Sequence, residues 1–475
     1  MPQSGPNRVP LSISSAPLFF RAQLVYTATT THFPNPNPTT IEPMGILRLA
    51  DLQPGMTLAA DLVSPQGRLL LHAGARMDER ALRMCKIWGV VEADVDGVHD
   101  AAPEGVDRAV PNGRAAADPE VLERARALLD ARLGLSDPRH PAVREVRRLC
   151  LPRVAAAVAA GRHAPPGFAP LETPPTPIPD DETAGDARVA ALSAEDVVAR
   201  EVELASLPDI FAQIMEALKN PSSSAAHVAD VIARDVSLSA KLLRLVNSPF
   251  YGYPQRIDSL ARAVTIIGSN QLTSLALGIS VITLFDDVDP ALIDMRSFWR
   301  HSVACAVLAR AIAVRRIHVR EERFFVAGLL HDIGRLVMLR RHPGPAARAL
   351  AEAARRGVPG HQAEAEIWEF DHSLVASLLL EKWLFPMGLE QSIRHHHAPL
   401  AAQDPPDAAV LHLADFLAHA LGYASGGAAP APPLAPAAWE ALGLPKNVLE
   451  PVADLADSQI ASILDIFCNG HDHGQ

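Results

Sequence analysis

What this 475-residue chain has little of narrows its function before any motif does. Cysteine is scarce: Cys85, Cys150, Cys305 and Cys468 lie far apart, with no CxxC pair. That spacing gives neither a disulfide framework nor a thiolate zinc site, and it suits a reducing cytosol. Positive charge is outweighed, 43 Lys and Arg against 54 Asp and Glu, for a net charge of −11. A general nucleic-acid binder needs a basic field, so that class is excluded. No apolar run approaches the roughly 18 residues that a membrane helix requires. Nor does the sequence contain a fixed-period repeat, a phosphate-cradling glycine loop or a Ser/His/Asp nucleophile arrangement.

What is present is ample apolar sequence, 48% of residues, enough for packed cores and too much for a disordered chain. The length predicts two or three domains. Residues 1–43 are rich in Pro, Thr, Ser and Asn, and Arg8, Arg21 and Glu42 are their only charged side chains. Such a segment cannot bury enough apolar surface to offset its ordering entropy. It reads as a disordered leader, and Met44, where patterned sequence begins, is an alternative start. A Pro-rich spacer at 163–183 and softer breaks at 101–117 and Gly426–Pro436 divide the rest.

The expected units are a small β-rich module at 45–100, a helical connector at 118–160, a helical domain at 190–425 and C-terminal helices at 437–468. In the module, Leu52-Gln53-Pro54-Gly55-Met56 is a turn signal and Val63 to Leu71 reads as strand, turn, strand. Residues 78–88 suit a short helix and Val90 to Val95 a closing strand. In the connector, Asp118-Pro119-Glu120 is a helix start. From Ser193, which opens a capping signal with Asp196, the pattern is helical almost to the end. The fold class is therefore mainly α, a multi-helix bundle with a small β-rich amino-terminal module and Pro-rich linkers.

Polar residues embedded in apolar helices mark the chemistry. Phe324 to Leu339 reads as one helical run, apolar except for His331, Asp332 and Arg335. A helix apolar nearly all round is buried, and a carboxylate there is costly unless paired or metal-bound. Gly328 and Gly334 would let another backbone approach closely. His301 shares a stripe with Cys305, Leu308 and Ile312, and His372 a face with Val375, Ala376 and Leu379. His395, His396 and His397 close a further helix. Alone, His301 or His372 reads as a core residue satisfied by a carbonyl, and the His395 to His397 triplet as a chance surface cluster. Together, imidazoles and carboxylates on inward helix faces are how a bundle builds a metal site.

Gly328-Leu329-Leu330-His331-Asp332-Ile333-Gly334 resembles the signature of the HD superfamily of metal-dependent phosphohydrolases. Upstream, Ala229 to Leu245, Asn247-Ser248, Phe250-Tyr251-Gly252 and Ala263 to Gly268 resemble the HD-related output domain, HDOD. Phe298 to Ser302, Asp371-His372, Trp383 to Pro386 and His396 to Pro399 fit that family too. The segment at 45–100 resembles the β-rich module that precedes HD-GYP signalling domains. The resemblance implies an all-helical bacterial, cytoplasmic signal-transduction or regulatory protein. Its partners would be signalling proteins or a nucleotide second messenger, with no nucleic acid and no membrane. Carried over by position, it implies metal ligands at His301, His331, Asp332, His372, His396, His397 and Asp415. The metal would be one or two divalent ions such as Mn²⁺, Fe²⁺, Mg²⁺ or Zn²⁺. Asp332 and Arg335 would be catalytic.

Departures from the family pattern weigh against catalysis. Active relatives commonly carry Lys where Arg335 stands, and arginine cannot act as a titrating proton donor. Ala398-Pro399 follows the paired histidines, where cyclic di-GMP phosphodiesterases carry Glu and a later Gly-Tyr-Pro. Asp415, flanked on its helix face by His412 and His419, also reads as an exposed charge. Three classes stay open: a non-catalytic signalling scaffold, which the resemblance favours, a metal-dependent phosphohydrolase, and a bundle that keeps metal as a structural staple.

Overall fold

The computed structural model describes residues 45–48, 52–63, 69–79, 81, 82, 85, 90, 92–96, 118–160, 192–202, 209–219, 224–253, 255–285, 287–316, 322–425 and 430–468. The leader at 1–43, the break at 101–117 and the spacer at 163–183 lie outside them. So does much of the helix expected at 78–88.

In the amino-terminal module, strand β1 (Gly45–Arg48) pairs antiparallel with a later strand, Glu92–Val95, with Gly45 opposite Val95. Between them, β2 (Leu62–Val63) pairs antiparallel with β3 (Leu69–Leu71), and Glu92–Val95 becomes β4. The Pro54-Gly55 turn works because Gly55 sits at φ 102°, a left-handed conformation open to glycine. Leu52, Leu58, Leu62, Met77, Cys85, Val90 and Val95 form the module's own apolar core. Alternation along short strands around so few residues gives a marginal unit.

The connector forms α1 (Pro119–Leu133) and α2 (Pro141–Ala159). Asp118 caps α1 by accepting from Glu120 N at 3.0 Å, and Pro119 sits at the first helical position, where no donor is missed. Although the sequence sets this pair apart, its stripe of Ala125, Leu129, Leu133, Val143, Val146 and Cys150 belongs to the same core as the bundle.

The bundle runs through α3 (Ala194–Val202), α4 (Asp209–Lys219), α5 (Ala225–Ala233), α6 (Val236–Val246), α7 (Leu260–Ile267) and α8 (Ser269–Val281). The capping signal at α3 is reciprocal: Ser193 Oγ accepts from Asp196 N, and Asp196 Oδ2 accepts from Ser193 N. After α6, Asn247 clamps the turn, donating to Ile257 O and accepting from Ile257 N, at 2.7 and 2.8 Å.

Helix α9 (Met295–Val314) is the centre of the domain, and every residue from His301 to Ala313 is buried. It packs against α10 (Glu322–Leu330). The run expected as one helix then breaks: α10 ends at Leu330, and α11 (Ile333–Arg341) starts after His331-Asp332. At the break, Asp332 stands at the N-cap of α11 but makes no capping bond with its side chain. Its carboxylate is turned instead to Arg335 and His372, which frees it for the interior.

Next come α12 (Pro343–Arg356), α13 (Gly360–Trp368), α14 (His372–Lys382), α15 (Met387–Arg394), α16 (Pro405–Ala420), α17 (Pro436–Leu442) and α18 (Leu449–Cys468). The two glycines do what their positions predict. A Cβ on Gly328 would strike the α9 backbone at Cys305 and Ala306, and one on Gly334 would strike His372 O and Ala376 N of α14. These approaches bring α9, α10, α11 and α14 to one point. Among the described residues, no single helix is long and apolar enough to cross a membrane.

Candidate metal centre

Five elements deliver side chains to one buried place. Helix α9 brings His301 and Cys305. The α10–α11 break brings His331 and Asp332. His372 opens α14, His396 and His397 follow α15, and α16 brings Asp415 and His419. His301, His331, His372 and His396 have no measurable exposure, Asp332 has 2% and Asp415 has 4%.

The expected ligand set therefore converges. His301 Nε2 lies 3.3 Å from His331 Nε2, 3.3 Å from Asp415 Oδ1 and 3.7 Å from Asp332 Oδ2. Asp332 Oδ1 lies 3.5 Å from His331 Nε2 and 3.0 Å from His372 Nε2. His372 Nε2 is in turn 3.2 Å from His397 Nε2. Asp332 thus stands between two histidine groups, with His301 and His331 on one side and His372, His396 and His397 on the other. The exposed charge that Asp415 could have been is not what forms: α16 turns it inward.

The outer ring nitrogens fix the tautomers. Nδ1 of His301 lies 3.0 Å from Tyr423 O, of His331 2.9 Å from Gly328 O, and of His396 2.7 Å from Ile393 O. A carbonyl oxygen only accepts, so each ring donates Nδ1–H outward and, when neutral, points a bare Nε2 lone pair inward. His372 Nδ1 does the same to Glu364 Oε2 at 2.5 Å. Metal-ligating imidazoles characteristically donate their other ring N–H to a carbonyl or carboxylate in this way, which fixes the ring's orientation.

Nε2 of His301 and of His331 face each other at 3.3 Å. With both rings neutral this sets lone pair against lone pair, a repulsion relieved by a proton on one ring or by a cation between them. Asp415 Oδ1 is ion-paired with His301 Nε2 at 3.3 Å and His419 Nε2 at 3.4 Å, while His396 Nε2 is buried with no hydrogen-bond partner among the described residues. Buried polar atoms are rarely left so. The donor set fits a divalent cation, with His301, His331 and Asp415 near one position, His372, His396 and His397 near another, and Asp332 between them.

Charge balance agrees. Burial works against the charged form of every group. It lowers His331, takes His396 down to about 3 with help from His331 and His372, and holds His397 well below the usual range. Neutral imidazoles are the form that binds metal. For Asp332, burial is outweighed by Arg335, His331 and His372, and for Asp415 by His419 and His301, so both stay ionised. His372 departs from the other imidazoles: Glu364 and Asp332 outweigh burial and Arg335 and raise it to about 9, so it must release a proton before its Nε2 can ligate a metal. Burial and Asp415 push the Cys305 thiol well above its ordinary value.

Arg335 is drawn into the same network. Its Nη1 donates to Asp332 Oδ2 at 2.9 Å and its Nε to Glu364 Oε1 at 3.1 Å. Glu364, held down to about 2 by His372 and Arg335 against its burial, joins the cluster with no sequence signal. It lies eight residues before His372 in unremarkable helical sequence. His361, stacked on His397 with centroids 3.9 Å apart, is a second such residue. His412 is different. Its Nδ1 donates to His396 O at 2.7 Å and its Nε2 accepts from Ala435 N at 3.0 Å, so both nitrogens are spent on backbone and it braces the centre.

A His/Asp centre inside a helical bundle defines a class of protein, and comparison with known proteins narrows it. Residues 204–399 match the family model of the HDOD domain. Over that span, under half of its length, the chain is similar to HDOD domains. Asp415 and His419 lie beyond the matched span. A protein of Treponema pallidum (strain Nichols) is 24% identical over 196 residues, 41% of this chain and 38% of the relative, so the chain spans well under half of that relative's length. Among solved structures, an HDOD domain protein of Geobacter sulfurreducens is 24% identical, covering 57% of this chain and 96% of its own, with a TM-score of 0.45. A candidate signal transduction protein of Marinobacter aquaeolei VT8 is 22% identical, covering 60% and 65%, with a TM-score of 0.43. A candidate metal-dependent phosphohydrolase of Shewanella amazonensis SB2B is 19% identical, covering 58% and 99%, with a TM-score of 0.39.

Proposed function

We propose that this chain is a bacterial, cytoplasmic regulatory protein whose HDOD bundle is organised around a buried divalent metal centre. Its output is binding, of a signalling partner or a nucleotide second messenger, and not turnover. The observation that supports the metal most strongly is the pair of inward Nε2 atoms on His301 and His331, each ring committed outward through Nδ1. The observation that supports binding over turnover is burial: His301, His331, Asp332, His372 and His396 are all at most 2% exposed, and among the described residues the centre meets the surface only beside the half-buried His397 and Arg335. Arg335, the side chain suited to holding a phosphate, is already engaged by Asp332 and Glu364.

One feature favours the phosphohydrolase alternative: Asp332 between two histidine groups is the arrangement of a two-metal site. Such ions would supply Lewis acidity and a readily ionised water. The chain's own part would be to hold the ions through Asp332 and to orient His372 through Glu364. The test is elemental analysis of the purified full chain together with assay on a generic phosphodiester. Bound divalent metal without turnover, lost in Asp332→Ala, is expected. Turnover that disappears in Asp332→Ala would replace the binding role with hydrolysis.

A further inference from the structure

We propose that the Pro-rich segment 430–436 is a strap that couples the seating of the connector α1–α2 to the position of His396 and His397, so that displacing the connector changes the metal affinity of the centre. This rests on the metal centre proposed above.

The segment reads Pro430-Ala431-Pro432-Pro433-Leu434-Ala435-Pro436. Proline has no backbone donor and holds φ at about −65°, so the chain is stiff over this stretch. Only Ala431, Leu434 and Ala435 keep an N–H, and each of these reaches out of the segment. Ala431 N donates to Arg132 O at 2.9 Å and Leu434 N to Ser136 Oγ at 3.0 Å, both on the connector. Arg132 stands in the last turn of α1, and Ser136 in the turn that leads to α2. Ala435 N donates to His412 Nε2 at 3.0 Å, on α16. Ser136, Ala431, Leu434 and His412 are buried, so water is poorly placed to replace a lost partner.

From His412 the chain of bonds continues inward. Its Nδ1 donates to His396 O at 2.7 Å. That carbonyl belongs to the peptide joining His396 to His397, so one bond holds the backbone of two candidate ligands. A single neutral tautomer of His412, protonated on Nδ1, serves both of its bonds. Between connector and centre there are then two side chains, Ser136 and His412, and two adjacent strap residues, Leu434 and Ala435. A slack loop would absorb a shift of the connector. A proline-stiffened segment bonded at both ends passes it on. Linkage makes the effect reciprocal: a metal that holds His396 also holds the strap. The connector follows the amino-terminal module in the chain, so it is the element that a signal from that module would reach first. The Arg148–Glu450 ion pair also joins connector to bundle, but it is solvent-exposed, lies on α18 and stands outside this chain of bonds.

The test uses the full chain with Zn²⁺ as probe, its affinity measured by competition with a chelator. Ser136→Ala should lower that affinity by about 5- to 10-fold, the low end of couplings between sites. Ser136→Thr, which keeps the hydroxyl, should restore it. In a His412→Ala background, Ser136→Ala should have no further effect. Arg148→Ala should leave the affinity unchanged. In the wild type, Zn²⁺ should slow hydrogen exchange of the amides of Ala431, Leu434 and Ala435, a readout that needs no variant to fold. Three results overturn the strap and leave the metal centre standing: unchanged affinity in Ser136→Ala, a fall that persists in full without His412, or exchange that Zn²⁺ does not slow. No zinc bound at all overturns both. If Ser136→Ala does not fold, the exchange measurement decides.

Discussion

Glu364 holds the centre together from outside. One of its oxygens accepts from His372 Nδ1 and from the His372 backbone N–H, and the other from Arg335. Glu364→Gln should keep the fold and lower metal affinity by about 10- to 100-fold, as removal of an outer partner does, measured by competition with a chelator. Glu364→Ala should cost about 3–5 kcal/mol in urea unfolding, because it leaves the buried Arg335 charge short of a partner. A contrast between two histidines separates ligand from brace. His396→Ala should lose metal. His412→Ala should keep metal yet cost about 1–3 kcal/mol, the price of leaving Ala435 N–H and His396 O unpaired. In the sequence, His301 and His372 sit at inward helical spacings and His331 and Asp332 in the His-Asp signature, whereas His396, His397 and Asp415 are picked out only by the family resemblance. Glu364 and His361 were not legible: their roles come from a tertiary approach of α13 to α14, which no spacing encodes.

Elements show the same division. Helical period predicts where apolar stripes run, and it placed the helices from Ser193 onward. It does not register a break between two helices whose stripes continue each other, so Phe324 to Leu339 read as one. At the break, Asp332 meets His372 of α14, a contact far away in sequence. The close approach of α11 to α14 depends on the missing side chain at Gly334. Gly334→Ala should push α14 away, costing about 1–3 kcal/mol as overpacking does, and should displace His372 enough to weaken metal binding. Urea unfolding of the metal-free and loaded variant checks both. Gly328→Ala should act likewise on α9 and α10. The helical pair α1–α2 was read as a connector because Pro- and Gly-rich breaks flank it. Composition marks the breaks, but only packing reveals that Leu129 and Val146 join the bundle core.

At the scale of the whole molecule, a metal bound only by the folded bundle is folding free energy. At a free concentration of 100 Kd it adds about 2.7 kcal/mol, so a chelator should lower the thermal midpoint of the full chain, and Zn²⁺ should restore it. The amino-terminal module, with a separate core, should respond little. The most direct measurement is X-ray absorption at the edge of the bound metal. A first shell dominated by imidazole nitrogens at about 2.0–2.1 Å, the distance of metal–histidine bonds, with outer-ring scattering, is predicted. A shell of water oxygens alone would place the ion elsewhere and contradict the centre.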